Sequence, residues 1–267
     1  MLDRERAKER FKEDTENHKM EVLMDNGIYR HLKFTNNGSQ CYRFDIHTWA
    51  GYLCVDGDMG CYVFRRIPDM FEFFRMDDND FNKKNIINPG YWSEKLEAVN
   101  SDSARSNDGN GYEEFSQEAF KDAVKQEYDN FCEEYEVTIE EERDEIQDEL
   151  LRDETDNIED VIAENESAES EPELTKTEQQ LEDLWNEIEQ DVIGASYDGH
   201  IRGYDAAMDF RWESDAGDMK FDMSDFWDHD CTEYTFHFIW ILYAIVYGIG
   251  EYDKLQVKNA NTSVASD

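Results

Sequence analysis

The sequence contains a run of fourteen residues, FHFIWILYAIVYGI at 236–249, in which His237 is the only acidic or basic residue. Spanning a lipid bilayer takes about 20 apolar residues, so this run is too short to cross a membrane. A helix that is apolar on all sides has to be buried within the folded protein. We therefore predict a helix over residues 232–247 at the centre of the core, ended by Gly248 and Gly250 in the left-handed conformation.

Several segments in the first quarter of the chain alternate between apolar and polar residues, which is typical of half-buried β-strands. In CYRFDIHTW (41–49), Tyr42 and the next two alternate residues are apolar. Two further segments, YLCV (52–55) and CYVFRR (61–66), flank a turn that contains two glycines. The pattern predicts an antiparallel β-meander over residues 31–66.

The hairpin raises a question about two cysteines. A turn centred on Gly57 and Asp58 would place Cys54 opposite Cys61, with their Cβ atoms about 4.5–5.5 Å apart. Such a pair can bind a metal or act in redox chemistry, but two small residues in a sheet are the simpler interpretation. The five cysteines form no CxxC pair, which favours reduced intracellular thiols over disulfides or zinc.

Two helices are predicted after a loop at 101–111. Apolar residues recur from Phe115 to Tyr135 at spacings of three to five, which is the stripe of an amphipathic helix. The segment 139–166 has fewer apolar residues, and Thr138 with Glu141 has the spacing of a capping box. It is predicted to be a second helix.

A third helix should follow the proline-containing segment SAESEP. Its capping box is formed either by Thr175 with Glu178 or by Thr177 with Gln180. Its apolar stripe should bury Trp185. Residues 194–221 are rich in glycine, aspartate and aromatic residues and give no clear prediction.

These elements predict an α+β fold in which a small antiparallel β-meander packs on a central buried C-terminal helix, with projecting acidic helices. The predicted regions are 1–100 for an N-terminal helix and the meander, 112–193 for an acidic helical insertion, 194–254 for the part of the core with the buried helix, and 255–267 for a disordered tail.

The charge of the chain limits its partners. A formal charge of −40, from 66 acidic and 26 basic residues, disfavours binding to nucleic acid or to an anionic membrane. We expect a basic protein partner instead. The N-terminal residues lack the apolar stretch of a signal peptide, so we expect the protein to stay inside a cell.

Residues 139–166 hold fourteen acidic and two basic side chains. As a helix of about 42 Å, this segment would carry about 0.29 negative charges per Å, which equals the charge density of one strand of B-DNA. The candidate partner-binding residues are Glu140, Glu141, Asp144, Glu145, Asp148, Glu149, Asp153, Glu154, Asp156, Glu159 and Asp160. A solvated or disordered acidic segment is the alternative interpretation.

Three blocks of the sequence resemble a widespread group of bacteriophage and prophage proteins. They are GDMGCYVFRRIPDMFEFFR (57–75), INPGYWSEKLEA (87–98) and DFWDHDCTEYTFHFIWILYAIVYGI (225–249). The resemblance implies a viral origin and a role as an inhibitor of host defence, for example of restriction, CRISPR or a nuclease system such as Gabija. It carries over no catalytic residue.

The alternative to a binding protein is a metal-dependent enzyme. Four potential ligands are spaced by four residues: Asp225, His229, Glu233 and His237. On one helix they would share a face, but an N-cap at Asp230 or Thr232 would leave the first two outside that helix. The sequence has no GxSxG, HExxH, Walker or GxGxxG motif. We expect no metal, no cofactor and no enzymatic activity.

The sequence therefore leads to one hypothesis and two further alternatives. The hypothesis is a phage-encoded inhibitor in the host cell cytoplasm, which binds a nucleic-acid-binding defence complex through an acidic surface that mimics nucleic acid. One alternative is a stoichiometric inhibitor that binds through its folded core without such mimicry. The other is an acidic insertion in a protein of different function. The sequence also allows a homo-oligomer.

Overall fold

The computed structural model of this chain describes residues 4–75, 87–100, 110–156 and 174–264. The chain divides into two compact units, which are residues 1–116 with 232–267 (unit 1) and residues 117–231 (unit 2). This division differs from the predicted regions, because residues 194–231 belong to unit 2. The segments that precede and follow unit 2 in the sequence pair with each other in a short two-stranded sheet of unit 1, where Thr232 lies opposite Phe115. Unit 1 therefore resumes only at residue 232.

Unit 1 has the predicted α+β architecture. Its main sheet is antiparallel, with strand order β1-β2-β3-β4-β5-β6. The strands of this sheet are β1 (Lys19–Asn26), β2 (Tyr29–Thr35), β3 (Phe44–Trp49), β4 (Tyr52–Gly57), β5 (Gly60–Arg65) and β6 (Leu96–Asn100). The remaining elements of unit 1 are α1 (Arg4–Thr15), α2 (Met70–Arg75), α3 (Pro89–Ser93), β7 (Glu113–Phe115), β10 (Thr232–Tyr234) and α8 (Phe236–Val264).

The core of unit 1 lies between one face of the sheet and α8. Eight side chains on this inner face are fully buried: Leu32, Phe34, Phe44, Ile46, Leu53, Val55, Tyr62 and Phe64. The rings of Phe44 and Trp240 lie 5.7 Å apart and meet edge to face. The ring of Phe11 in α1 also lies 4.9 Å from the Trp240 ring. The predicted burial of this helix in the core is confirmed at Trp240, whose exposed fraction is 0%.

Both ends of α8 differ from the prediction. The helix begins at Phe236, where the Thr235 hydroxyl accepts a hydrogen bond from the backbone N–H of Phe238 at 3.2 Å. Residues 232–234 form β10 instead, because they pair with β7. At the other end the helix continues to Val264, through much of the predicted disordered tail. Among the described residues, no helix is both long and apolar enough to span a membrane.

Gly248 lies inside α8 and does not end it, contrary to the prediction. A Cβ atom at this position would lie 2.4 Å from Cδ1 of Ile46 and 3.3 Å from the ring of Phe34. Glycine therefore allows the helix backbone to approach the sheet closely. Gly250 also lies within the helix, but a Cβ atom there would meet nothing within 4 Å.

The hairpin of β4 and β5 has a different register from the predicted one. Gly57 pairs with Gly60, so the turn residues are Asp58 and Met59. A Cβ atom at residue 57 would lie 2.0 Å from the carbonyl oxygen of Arg43, so this glycine permits the close approach of β3. Cys54 consequently lies diagonal to Cys61 rather than opposite it, and their sulfur atoms are still only 3.6 Å apart.

The two edge strands lie outside the predicted meander. Strand β1 shows no clear alternation in its second half, where a bulge leaves Leu23 and Met24 about half exposed. Strand β6 follows directly after α3. Its pairing with β5 decides its conformation, because tertiary contacts readily override a weak local preference for helix.

Unit 2 is mainly helical. Its elements are α4 (Gln117–Glu133), α5 (Glu136–Asp156), α6 (Lys176–Glu187), α7 (His200–Asp209), β8 (Arg211–Glu213) and β9 (Lys220–Asp222). Helix α6 continues without a break through a π-helical turn, Ile188–Ile193, and a final turn to Ser196. The predicted helices at 115–135 and 139–166 correspond to α4 and to α5, of which the described part ends at residue 156.

Replacing Gly248 with alanine should destabilise unit 1. Overpacking of a core costs about 1–3 kcal/mol, whereas alanine gains about 1 kcal/mol over glycine in a helix. We expect the first effect to be larger here, because the new methyl group would meet the buried Ile46 and Phe34 side chains. The free energy of unfolding in urea, followed by tryptophan fluorescence, measures the net change.

The matched control is Gly250→Ala in the same helix. Its methyl group meets no neighbouring atom within 4 Å, so this variant should keep the helical gain and be up to about 1 kcal/mol more stable than the wild type. Equal free energies of unfolding for the two variants would show that close approach to the sheet is not the role of Gly248.

Candidate functional site: the acidic face of α5

Six of the predicted partner-binding residues form an exposed face on α5. They are Glu140, Glu141, Asp144, Glu145, Asp148 and Glu149, and all six side chains are exposed. Because residues four apart lie above one another on a helix, these carboxylates form two adjacent rows with an axial repeat of about 6 Å. We call this set the carboxylate face. Ile139, Glu142 and Ile146 are half-buried on another side of the helix.

The other predicted residues extend beyond this face. Asp153, Glu154 and Asp156 belong to the last turns of α5, where the backbone but not the side chains is described. Glu159 and Asp160 lie outside the described residues. The candidate site is therefore defined by the six residues of the carboxylate face.

The charge density of α5 is that of a nucleic acid strand. Residues 136–156 hold eleven acidic and two basic side chains, a net charge of −9. Over the roughly 31 Å length of a 21-residue helix this is about 0.29 charges per Å. One strand of B-DNA has one phosphate per about 3.4 Å, which is the same density.

Glu142 has a structural role that its neighbours on α5 do not share. Its two carboxylate oxygens accept hydrogen bonds from the backbone N–H and the hydroxyl group of Thr177, each at 3.0 Å. Thr177 lies in the first turn of α6, where unpaired N–H groups and the helix dipole favour a negative charge. Burial opposes ionisation of Glu142, but the hydrogen bonds from Thr177, together with Thr175 and Lys176, lower the pKa of this carboxyl group below its usual value.

The start of α6 is further defined by a capping box. The Thr175 hydroxyl accepts from the N–H of Glu178 at 3.1 Å, and the Glu178 carboxylate accepts from the N–H of Thr175 at 2.9 Å. This confirms the first of the two predicted capping boxes. Arg143 of α5 also donates a hydrogen bond to Glu178. Helix α5, which carries the carboxylate face, is thus held against the start of α6 through Glu142 and Arg143.

Trp185 of α6 is half-buried, whereas the apolar stripe predicted burial. Its ring lies 4.9 Å from that of Tyr128 on α4, and the ammonium group of Lys125 lies 5.4 Å above it. The Tyr128 hydroxyl donates to the carbonyl oxygen of Leu181 at 3.1 Å. The long Lys125 side chain covers only part of the indole, so Trp185 keeps some contact with water.

The four residues spaced by four do not form one helical face. Asp225 precedes a 3₁₀ turn and His229 follows it, with its Nε2 atom 2.6 Å from the Glu127 carboxylate in unit 2. Glu233 lies in strand β10 of unit 1, and His237 lies in the first turn of α8. Their regular spacing therefore does not bring the four side chains to one face, because residues 225–237 do not form a continuous helix.

Sequence reasoning missed a polar cluster on the outer face of the sheet in unit 1. His31, Asp45 and His47 lie together there, beside the Asp56 carboxylate. The alternation in β3 placed two of these residues on the polar side of a strand, but only the register of β2 against β3 brings His31 to them.

The Cys54 and Cys61 thiols are also close together on the outer face of the sheet. Burial and the neighbouring Cys61 raise the pKa of the Cys54 thiol to about 12. A thiol with this pKa stays protonated at neutral pH and is a poor nucleophile.

Comparison of the chain with protein-family models, with curated proteins and with solved structures found no match. The relation to phage proteins therefore stays a prediction from the three sequence blocks. The candidate site depends on the geometry and charge of α5.

Replacing Glu142 with alanine should destabilise unit 2 by about 1 kcal/mol, because the N-terminus of α6 loses two hydrogen bonds. The folded-state pKa of Glu142 is lowered, so its stabilising effect is complete above the unfolded-state pKa and disappears as the pH falls through the folded-state pKa. The difference from the wild type should therefore shrink below about pH 4. Thermal unfolding at several pH values measures it.

Glu141→Ala is the matched control, since it makes the same substitution at the adjacent, exposed position of α5. It should change the free energy of unfolding by less than about 0.5 kcal/mol. The assigned role of Glu142 would be wrong if both variants lost equal stability, or if the loss in Glu142→Ala did not depend on pH.

Proposed function

We propose that this protein binds the cationic, nucleic-acid-binding groove of a partner protein through the carboxylate face of α5 and so competes with nucleic acid. The observation that carries the proposal is the arrangement of six exposed carboxylates in two rows on a helix with the charge density of a DNA strand. A groove that binds phosphates can release its counterions onto such a face as it does onto DNA.

The partner class follows from the resemblance to phage proteins. A phage-encoded protein of this kind acts in the cytoplasm of the host cell on a nuclease or another nucleic-acid-binding complex of bacterial defence. It acts as a stoichiometric inhibitor, because occupying the groove requires no catalysis. The total charge of −40 supports this choice, since it repels nucleic acid itself and attracts a basic protein.

Binding through α5 has to be collective. A single exposed ion pair contributes about 0–1 kcal/mol, so no one carboxylate decides the affinity. Many such pairs together produce a steep dependence on salt concentration. The steep dependence on salt concentration distinguishes binding through α5 from binding through an interface that depends on a few buried residues.

A second candidate function is inhibition through the folded core. The outer face of the sheet exposes Trp49, whose ring stacks on Tyr52 at 5.2 Å, and Arg65 lies 5.3 Å above the Tyr52 ring. Tryptophan, tyrosine and arginine are the residues that most often dominate protein interfaces. In this case binding would depend on Trp49 and only weakly on salt.

Neutralising the carboxylate face should abolish capture of the partner. The variant carries Gln at positions 140, 141, 145 and 149 and Asn at positions 144 and 148, which removes six charges and keeps the side-chain shapes. Immobilised wild-type protein should retain host proteins from a bacterial lysate that duplex DNA displaces, and the retained amount should fall by at least about tenfold between 50 and 200 mM salt. The six-fold variant should retain none of them.

The control neutralises six exposed carboxylates outside α5: Glu9, Glu16, Glu21, Asp205, Asp209 and Asp215. It has the same net charge as the first variant and should still capture the partner. Equal loss in both variants would mean that only total charge matters. Full capture by the α5 variant at physiological salt, together with loss in Trp49→Ala, would replace the proposal with the second candidate.

A further inference from the structure

Six side chains with metal-binding atoms lie together on the outer face of the sheet. In the register of β2, β3 and β4, His31 lies opposite His47 and His47 opposite Cys54, while Asp45 lies opposite Asp56. Asp56 in turn lies opposite Cys61 of the next strand, β5. All six side chains point away from α8, because the residues that alternate with them belong to the core.

Three of these residues lie close enough to share one ion. One ligand atom each from His31, Asp45 and His47 can be chosen so that all three lie within 4.8 Å of one another. The two imidazole rings have their centroids 4.0 Å apart. Nε2 of His31 lies 2.7 Å from Oδ2 of Asp45. Each residue comes from the interior of a strand, so the backbone that carries the three ligands is held by neighbouring strands on both sides.

Asp45 supplies a second, independent observation. Its side chain is only 4% exposed, and its Oδ1 atom has no hydrogen bond of acceptable geometry, although Nε of Arg43 lies 2.9 Å away as an ion-pair partner. A buried carboxylate oxygen needs a compensating cation. Arg43 has that role here, and a bound metal ion would supply the same compensation. The His31 and His47 side chains are 27% and 33% exposed, which leaves a path from solvent to the cluster.

We propose that His31, Asp45 and His47 bind one first-row divalent transition-metal ion of the Zn²⁺ type. Two imidazoles with one carboxylate is a ligand set that suits such ions better than Mg²⁺ or Ca²⁺, which prefer oxygen ligands. In a tetrahedral zinc site with bonds of about 2.0–2.2 Å, ligand atoms lie about 3.4 Å apart. Ligand atoms that start within 4.8 Å of one another therefore need to converge by at most about 1.4 Å.

The neighbouring charges shape this site. Asp56 lies 2.9 Å from Nε2 of His47 and orients that ring, as carboxylates around metal sites commonly do. Arg43 contacts both carboxylates, at 2.9 Å from Asp45 and 3.3 Å from Asp56, so it competes with a metal for Asp45. With three protein ligands, the fourth position faces solvent and is open to water or to a ligand atom of a partner.

Metal binding at this cluster is independent of partner binding through α5. The metal ligands belong to the sheet of unit 1 and the carboxylate face to α5 of unit 2. The His31 and His47 variants therefore test metal binding alone, and the six-fold α5 variant tests partner capture alone.

The test is titration of the 267-residue protein with Zn²⁺, followed by calorimetry, and with Co²⁺, followed by visible absorption. Both titrations contain excess Mg²⁺ to occupy non-specific carboxylates, because the chain has a charge of −40. One equivalent should bind, and His31→Gln or His47→Gln should each weaken it by at least about tenfold. His229→Gln, which alters another histidine paired with a carboxylate, should bind like the wild type. Arg43→Gln should bind more tightly, because the competing cation is gone.

Two results would overturn the proposal. One is that neither Zn²⁺ nor Co²⁺ binds in the presence of excess Mg²⁺. The other is that the His31 and His47 variants bind the metal as tightly as the wild type. A thermal melt without metal shows whether each variant is folded. If a variant does not fold, X-ray absorption of the wild-type zinc complex decides: two imidazole ligands support the site, and a shell of oxygen atoms alone refutes it.

Discussion

The packing of α8 against the inner face of the sheet is the interaction on which the rest of unit 1 depends. A helix that is apolar on every side has no face for water, so it needs a sheet on one side and further helices on the others. Each large side chain that it buries contributes about 1.5–3 kcal/mol. Gly248 brings the helix backbone close to Ile46 and Phe34, which increases the contact between the two layers. The strands come early in the chain and the helix near its end, so the residues of unit 2 lie between them in the sequence.

The same alternation that fills the core also determines what the outer face of the sheet presents. Phe44 and Ile46 point to the inside, so Asp45 and His47 point to the outside. An antiparallel sheet can leave one face to solvent, but here Asp45 is buried among Arg43 and two histidines. A buried carboxylate needs compensation, and Arg43 and His31, which contact its two oxygen atoms, provide it.

In unit 2, position on a helix decides what a carboxylate does. Glu141 and Glu142 are adjacent in the sequence and chemically identical. Glu142 lies on the side that faces Thr177 and stabilises the start of α6, whereas Glu141 belongs to the exposed carboxylate face. A run of acidic residues therefore combines structural and exposed members, and only the exposed ones are free to form a charged surface for a partner. The count of charges was predictable from the sequence, but this division of roles was not.

The sequence by itself determined the α+β class, the burial of the 236–249 run, the presence of the β4–β5 hairpin, the amphipathic stripe of α4 and the capping box of α6. These features depend on periodicity and on contacts within about four residues. The tertiary structure alone decided the hairpin register, the role of Gly248, the strand conformation of β6 and β10, and the meeting of His31 with Asp45 and His47. Each of these depends on which backbone lies against which at long sequence separation, and a local pattern is compatible with several such arrangements.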